Sequence, residues 1–250
     1  MEKFTSNKSQ IKGFRLIKIY LFFVLITTEV FGQTSIQNFG TTGASNTSQT
    51  GNATTIPNPT SGTTYARAGA TAPNAPVSIV ATGNPLGSTG AFLRATASST
   101  GSITKASPII SYTASTEFYT SFKILCGDVS GGNTATSGIW TYFIGSQGVN
   151  FSDNNDVSSA NTFTALRFTF GSSGALTLSY NNAGTFNSTG LTSSALSQAT
   201  VYTIEIVGNN RSTGTINYSY NGSAQSVAVQ RFDLYVNGTL VGNDLNRGGL

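Results

Sequence analysis

The chain contains no histidine. That absence removes a Ser-His-Asp triad, a Cys-His pair and any His-ligated zinc site. Cysteine is nearly missing too. Cys126 stands alone in the apolar stretch SFKILC, so no internal disulfide can form and the core alone must hold the fold. A lone cysteine in such a run reads as a small buried apolar residue rather than a reactive thiol. Charge is scarce, at 9% of 250 residues. No uninterrupted apolar run approaches the roughly 20 residues that a membrane-spanning helix needs.

What is present is glycine (28 residues), abundant Thr, Ser and Asn, 16 Phe and 10 Tyr. This mixture disfavours long helices and suits short strands joined by turns. Low charge alone would fit disorder, but the aromatic residues are too frequent and too regularly spaced for that.

The N-terminus differs from the rest. Lys3, Lys8, Lys12, Arg15 and Lys18 precede the apolar run Ile19–Ile26, followed by TTEVFG and Gln33. A basic segment, a short apolar segment and small or apolar residues before a cut describe a secretory signal peptide over residues 1–32. Without those residues, eight basic and seven acidic side chains remain, a net charge of +1. No basic patch is left to attract nucleic acid. The membrane then matters only during export.

Residues 33–76 are rich in Ser, Thr, Gly, Asn and Pro, which in isolation reads as linker or irregular loop. Strand-like segments then recur at 77–81, 91–96, 109–112, 117–125, 139–145, 163–170, 175–180 and 201–207, with turn residues between nearly all of them. The stretch 191–199 offers at most a turn or two of helix. Alternation sorts the faces. Phe118, Phe122 and Ile124 oppose Glu117, Tyr119, Ser121 and Lys123; Leu166, Phe168 and Phe170 oppose Arg167 and Thr169; Tyr202, Ile204 and Ile206 oppose Thr203 and Glu205. The charges fall on the outer faces, where solvation accounts for them.

Two Asn-Gly pairs predict type I′ hairpins near the C-terminus. Around Asn221-Gly222, Ile216, Tyr218 and Tyr220 meet Val227, Gln225 and Ser223 on one face. Around Asn237-Gly238, Val236 meets Thr239, Tyr235 meets Leu240, and Leu234 meets Val241. Many short strands at this spacing predict an all-β, two-sheet antiparallel sandwich.

The segments FYTSFKIL, SGIWTYFIG, LRFTFGSSGALTLSY, VYTIEIVGNN and FDLYVNGTLVGNDL resemble, in order and spacing, a laminin-G-like, concanavalin-type jelly roll. More closely they resemble the copies near the N-terminus of exported surface proteins of Bacteroidetes, cargo of the type IX secretion system. IQNFGTTG and PNPTSGTTYARAG resemble the opening of that domain. The resemblance implies that 33–76 is the first strand and loop of the sandwich and 77–250 its main body. It also implies a crossing loop and a last strand after the Asn237-Gly238 hairpin. The sequence ends at LNRGGL instead, so the expectation is a C-terminally truncated jelly roll with an unpaired edge able to self-associate.

Chemistry has few places to sit. Glycoside hydrolases of this fold resemble one another in carrying paired carboxylates at alternate positions of one strand. Here Glu117 and Glu205 are each the sole acid of their segment, which leaves a hydrolase remnant as the remotest alternative. Asp153 and Asp156 in NFSDNNDVSS, with Asp128 in CGDVSGGNTATSG, supply carboxylates and neighbouring amides of the kind calcium takes. An ion-free Asx-rich turn is the plainer reading of the same loops. Trp140 and Tyr142 share one face of GIWTYF, which suits a sugar-stacking platform and equally suits core filling. The expectation is a non-catalytic, secreted or cell-surface module for recognition or adhesion, binding carbohydrate or another surface ligand. A structural spacer without a ligand is the alternative.

Overall fold

The computed structural model describes residues 39–46, 63–70, 77–87, 89–95, 104–110, 116–127, 135–145 and 161–249. The leader expected over 1–32 lies outside them, as does most of the opening segment 33–76. Among the described residues the chain is nearly all β. In order the strands are β1 (Ala44–Asn46), β2 (Thr63–Ala70), β3 (Val77–Val80), β4 (Phe92–Ala95), β5 (Thr104–Ile110), β6 (Glu117–Leu125), β7 (Ile139–Gly145) and β8 (Thr162–Phe170). There follow β9 (Ala175–Asn182), β10 (Thr185–Asn187), β11 (Ala195–Ser197), β12 (Val201–Asn209), β13 (Ile216–Tyr220), β14 (Ser223–Val227), β15 (Arg231–Val236) and β16 (Thr239–Asn246).

Two antiparallel sheets dominate. One has four strands in the order β16-β15-β12-β6; the other runs β10-β9-β8-β7, with β11 beside β9. Their alternating apolar residues form one core. Ile204, Ile206, Phe232 and Leu234 from the first sheet cluster with Leu166, Phe168, Leu176 and Leu178 from the second. Aromatic rings bridge the sheets. Phe118 meets Phe163 edge-on at 5.1 Å, Tyr180 meets Phe232 edge-on at 5.7 Å, and Phe122 stacks on Tyr142 at 4.1 Å. This is the expected all-β, sandwich-like arrangement, and each fully buried aliphatic or aromatic side chain contributes about 1.5–3 kcal/mol.

The Asn237-Gly238 hairpin buries apolar residues on both faces. Phe232 and Leu234 enter the main core, whereas Tyr235 belongs to a second cluster with Val207, Ile216 and Val227. The cover for that second face is the β13–β14 hairpin, which packs Tyr218 and Tyr220 over it. Both Asn-Gly turns have the positive φ pair that a type I′ turn requires: Asn221 at 48° and Gly222 at 80°, Asn237 at 49° and Gly238 at 78°. The folded-back hairpin thus leaves Tyr235 and Val207 buried instead of facing water. The outer edge of β16 is also met in part, since the Thr192 N–H donates to the Val241 carbonyl at 2.7 Å.

Several local expectations need correction. Leu234 pairs with Gly242 rather than Val241, because a β-bulge intervenes between Leu234 and Tyr235. A side chain at Gly242 would collide with Leu245, so the bulge brings a glycine to the crowded position and lets Val241 and Leu245 enter the core. The β5 strand begins at Thr104, five residues earlier than its apolar residues indicate. Residues 195–197 form β11 on the edge of β9 instead of a helical turn, because open backbone partners there outweigh weak local preference. The local sequence does not mark β10, because its turn, Ala183-Gly184, places an alanine at φ 49°. The Asn181 carboxamide steadies that turn by accepting the Gly184 N–H at 2.8 Å.

Gly208 lies directly opposite Phe118, and a Cβ added there would sit 2.3 Å from the phenyl ring. The ring cannot swing aside freely, because it is wedged against Phe163. Gly208→Ala is therefore expected to destabilise the fold by about 1–3 kcal/mol, the usual cost of overpacking. Denaturant titration of the variant checks this; an unchanged midpoint would show that the ring has room to move.

Candidate functional site

The outer face of the four-stranded sheet carries a linked cluster of polar and aromatic side chains. Alternation turns Tyr119, Ser121 and Lys123 of β6 outward, and register places Lys123 opposite Thr203 and Ser121 opposite Glu205. Tyr235 of β15 lies opposite Glu205 on the other side. Glu205 thus sits in the middle of the sheet, between an open polar strip and the edge of the β13–β14 cover.

Its carboxylate is held by two phenols. The Tyr119 hydroxyl donates to Oε1 at 2.6 Å and the Tyr220 hydroxyl donates to Oε2 at 2.5 Å. These are the short distances of charge-assisted bonds. The Tyr220 ring stacks on Tyr235 at 3.9 Å with the planes 21° apart. The Tyr119 ring is not covered in this way and remains 60% exposed. Burial and the neighbouring carboxylate raise the pKa of both Tyr119 and Tyr220, so both hydroxyls remain donors at neutral pH. Each Glu205 oxygen retains a lone pair for a further donor.

A second phenol–carboxylate group lies beneath the hairpin. Asp233 is fully buried, accepts the Tyr218 hydroxyl at 2.6 Å and the Asp244 N–H at 2.8 Å, and Tyr218 also bonds Tyr235 at 2.7 Å. Asp244 occupies the left-handed region at φ 51° within the second irregularity of β15–β16 and accepts the Ala228 N–H at 2.7 Å. Beside that contact the buried Asn209 carboxamide donates to the Gly214 and Val227 carbonyls, both at 3.0 Å. The cover that presents Tyr220 to Glu205 is fastened at its base by these side chains. Burial raises the Asp233 pKa, and the two hydrogen bonds act against that rise without cancelling it.

The other candidate residues are elsewhere. Trp140 and Tyr142 lie on the core side of β7, opposite Phe168 and Leu166. Trp140 is tilted against Phe168 at 5.7 Å; Tyr142 stacks on Phe122, with its hydroxyl 3.3 Å from Thr120 Oγ1. Both are half-buried, and their rings pack against the interior. Asp128, Asp153 and Asp156 lie outside the described residues. Cys126 is buried and unpaired, its thiol pushed up to about 12 by burial. Glu117 makes an ion pair with Arg211. Nothing in the local pattern marks Glu205 or Asp233 as more than outer-face acids. Their tyrosine partners are 15 to 86 residues away in sequence, and only the strand order brings them together.

Compared with family models, with curated proteins and with solved structures, the chain matches none.

The raised pKa of Asp233 has a signed consequence. The folded state favours the protonated acid more than the unfolded chain does. The stability Asp233 contributes is thus complete below about pH 4, the ordinary carboxylate range, and falls as pH rises through its folded-state pKa. Asp233→Asn should therefore flatten the stability-against-pH curve above that point. Asp233→Ala should cost about 2–4 kcal/mol near pH 4 and less at higher pH, because it leaves the Asp244 amide without its acceptor and the Tyr218 hydroxyl with only Tyr235. Chemical denaturation of the three proteins from pH 3 to 8 checks both expectations; parallel wild-type and Asn curves would contradict the first.

Proposed function

We propose that the chain is a non-catalytic, exported recognition module that binds neutral carbohydrate on the outer face of its four-stranded sheet. The carrying observation is Tyr119: an aromatic ring 60% exposed, its hydroxyl held by a carboxylate that is itself fixed by Tyr220. A sugar presents an apolar C–H face and a rim of hydroxyls. The exposed ring suits the first, while Glu205, Ser121, Lys123 and Thr203 supply acceptors and donors for the second. Because Glu205 and Tyr220 are already in place, binding orders little that is not ordered beforehand.

The arrangement of acids supports a binding role over a hydrolytic one. Glu117 and Glu205 both face outward, but Glu117 pairs with Asn209, four positions along β12 from Glu205. At roughly 3.3 Å per residue their backbones are about 13 Å apart. Glycoside hydrolysis needs its two carboxyl groups about 5–9.5 Å apart. Each acid is also engaged already, Glu117 by Arg211 and Glu205 by two phenols. The jelly-roll topology, the kinship with laminin-G-like domains of secreted Bacteroidetes surface proteins, and the signal peptide belong to the same proposal. The motif order and the basic-then-apolar N-terminus support them.

A glycan array probed with the protein lacking residues 1–32 should give retained neutral oligosaccharides. Tyr119→Ala and Glu205→Gln should each weaken binding about ten-fold, equivalent to about 1.4 kcal/mol, with little change in melting temperature. An array without a neutral ligand would favour the structural spacer, whereas a Tyr119→Ala protein that binds like wild type would move the binding site away from this face.

A further inference from the structure

Arg167 is the single charged residue in the strands β7 to β11. It lies on the outer face of the five-stranded sheet, the opposite side of the sandwich from Tyr119. Simple solvation does not describe its environment. The residue is half-buried, its guanidinium carbon lies 3.5 Å from the centroid of the Phe186 ring, and its Nε is closed to solvent without a hydrogen-bond partner. The other arginines with described side chains are treated differently. Arg211 pairs with Glu117, Arg231 donates to the Asp244 carbonyl, Arg247 donates to Asn210, and Arg94 is open to water. Arg167 alone is partly desolvated without an anion or acceptor. Desolvation lowers its pKa, as expected when the charged form lacks compensation.

Contact with the Phe186 ring restrains the guanidinium, and the enclosed Nε leaves the terminal nitrogens as its available donors. A planar fork is matched by a carboxylate, which it binds through two parallel hydrogen bonds. A phosphate dianion would call for more positive charge, and this sheet has no second cation. The surroundings suit a polyhydroxylated ligand. Thr141 and Ser179 are the cross-strand neighbours of Arg167 on its two sides, Thr169 is exposed two residues along, and the half-buried Phe143 offers an apolar surface beyond Thr141.

We propose that Arg167, stacked on Phe186 and flanked by Thr141 and Ser179, is a second binding site, specific for the carboxylate of a uronic acid in an acidic polysaccharide. The ligand class rests on the carbohydrate reading above, but the site shares no residue with the Tyr119 face, so the two can fail separately. The partly desolvated cation, offset only in part by the ring, is a cost to the fold that a bound carboxylate would relieve.

The test measures calorimetric binding of a hexuronic acid oligomer, the same oligomer after carboxyl reduction, and a poly-glutamate peptide. Wild type should bind the hexuronate oligomer, and both Arg167→Gln and Arg167→Lys should weaken that binding at least about ten-fold, the first by removing charge and the second by removing fork and stack. The carboxyl-reduced oligomer should bind the wild type no better than the native oligomer binds Arg167→Gln. Tyr119→Ala should leave hexuronate binding intact while losing the neutral glycans. Without ligand, Arg167→Gln should melt no lower than wild type. Should it fail to fold, Phe186→Leu, which keeps the charge but loses the stack, should show the same loss of affinity. Hexuronate binding that is absent, insensitive to these substitutions, or matched by the reduced oligomer or by poly-glutamate would overturn the proposal. So would loss of hexuronate binding in Tyr119→Ala.

Discussion

The strands at the centre of the four-stranded sheet carry apolar residues on both faces, and covering both is the condition on which the rest of the structure depends. Phe232, Leu234, Ile204 and Ile206 need the opposing sheet; Tyr235 and Val207 need something else. The β13–β14 hairpin meets that need by folding back over the outer face. Without it, tyrosine and valine side chains would face water next to the polar strip of β6. With it, the molecule has a second, smaller core, and one side of the outer face becomes a wall from which Tyr220 reaches Glu205.

That cover is small and cannot be held by apolar contact alone. Polar groups fasten its base: Asn209 donates to the Gly214 and Val227 carbonyls, Asp244 accepts the adjoining Ala228 N–H, and Asp233 accepts the Asp244 N–H. Every such group must be satisfied or it becomes a liability, and these are. The two carboxylates of the face therefore divide by depth. Asp233, closed from water, fixes Tyr218 and the bulged turn of β15–β16. Glu205, closer to the surface, fixes Tyr119 and Tyr220 and retains capacity for a ligand. The same phenol–carboxylate contact is structural in one case and presents a surface in the other.

The two faces of the sandwich differ in chemistry for a related reason. Glu205 has two donors, so its charge is compensated, and the surface around it suits neutral hydroxyl-rich ligands. Arg167 has a ring beneath it but no acceptor, so its charge is not compensated, and the surface around it suits an anion. On the two proposals, the opposite sheets would present different recognition chemistry.

Alternation and turn chemistry were enough to determine most of the strands, the facing of Phe118, Leu166 and Ile204, and both Asn-Gly turns. Each of these depends on interactions within a few residues. The Ala183-Gly184 turn and the short β11 strand were not legible, because the local sequence does not favour them and neighbouring strands impose them. The bulges that shift Leu234 onto Gly242 were hidden for the same reason. Local periodicity states which way a side chain points, but not what it meets. Glu205 reads as a solvated charge until the tertiary structure brings Tyr119, 86 residues away, within 2.6 Å. Asp233 reads as one more outer-face acid until a hairpin from earlier in the chain closes over it. Arg167 likewise reads as an ordinary surface cation until Phe186 covers its face. Sequence determined the period and the turns; long-range strand pairing decided which polar groups are buried, paired or left open, because solvation and charge compensation depend on neighbours in space.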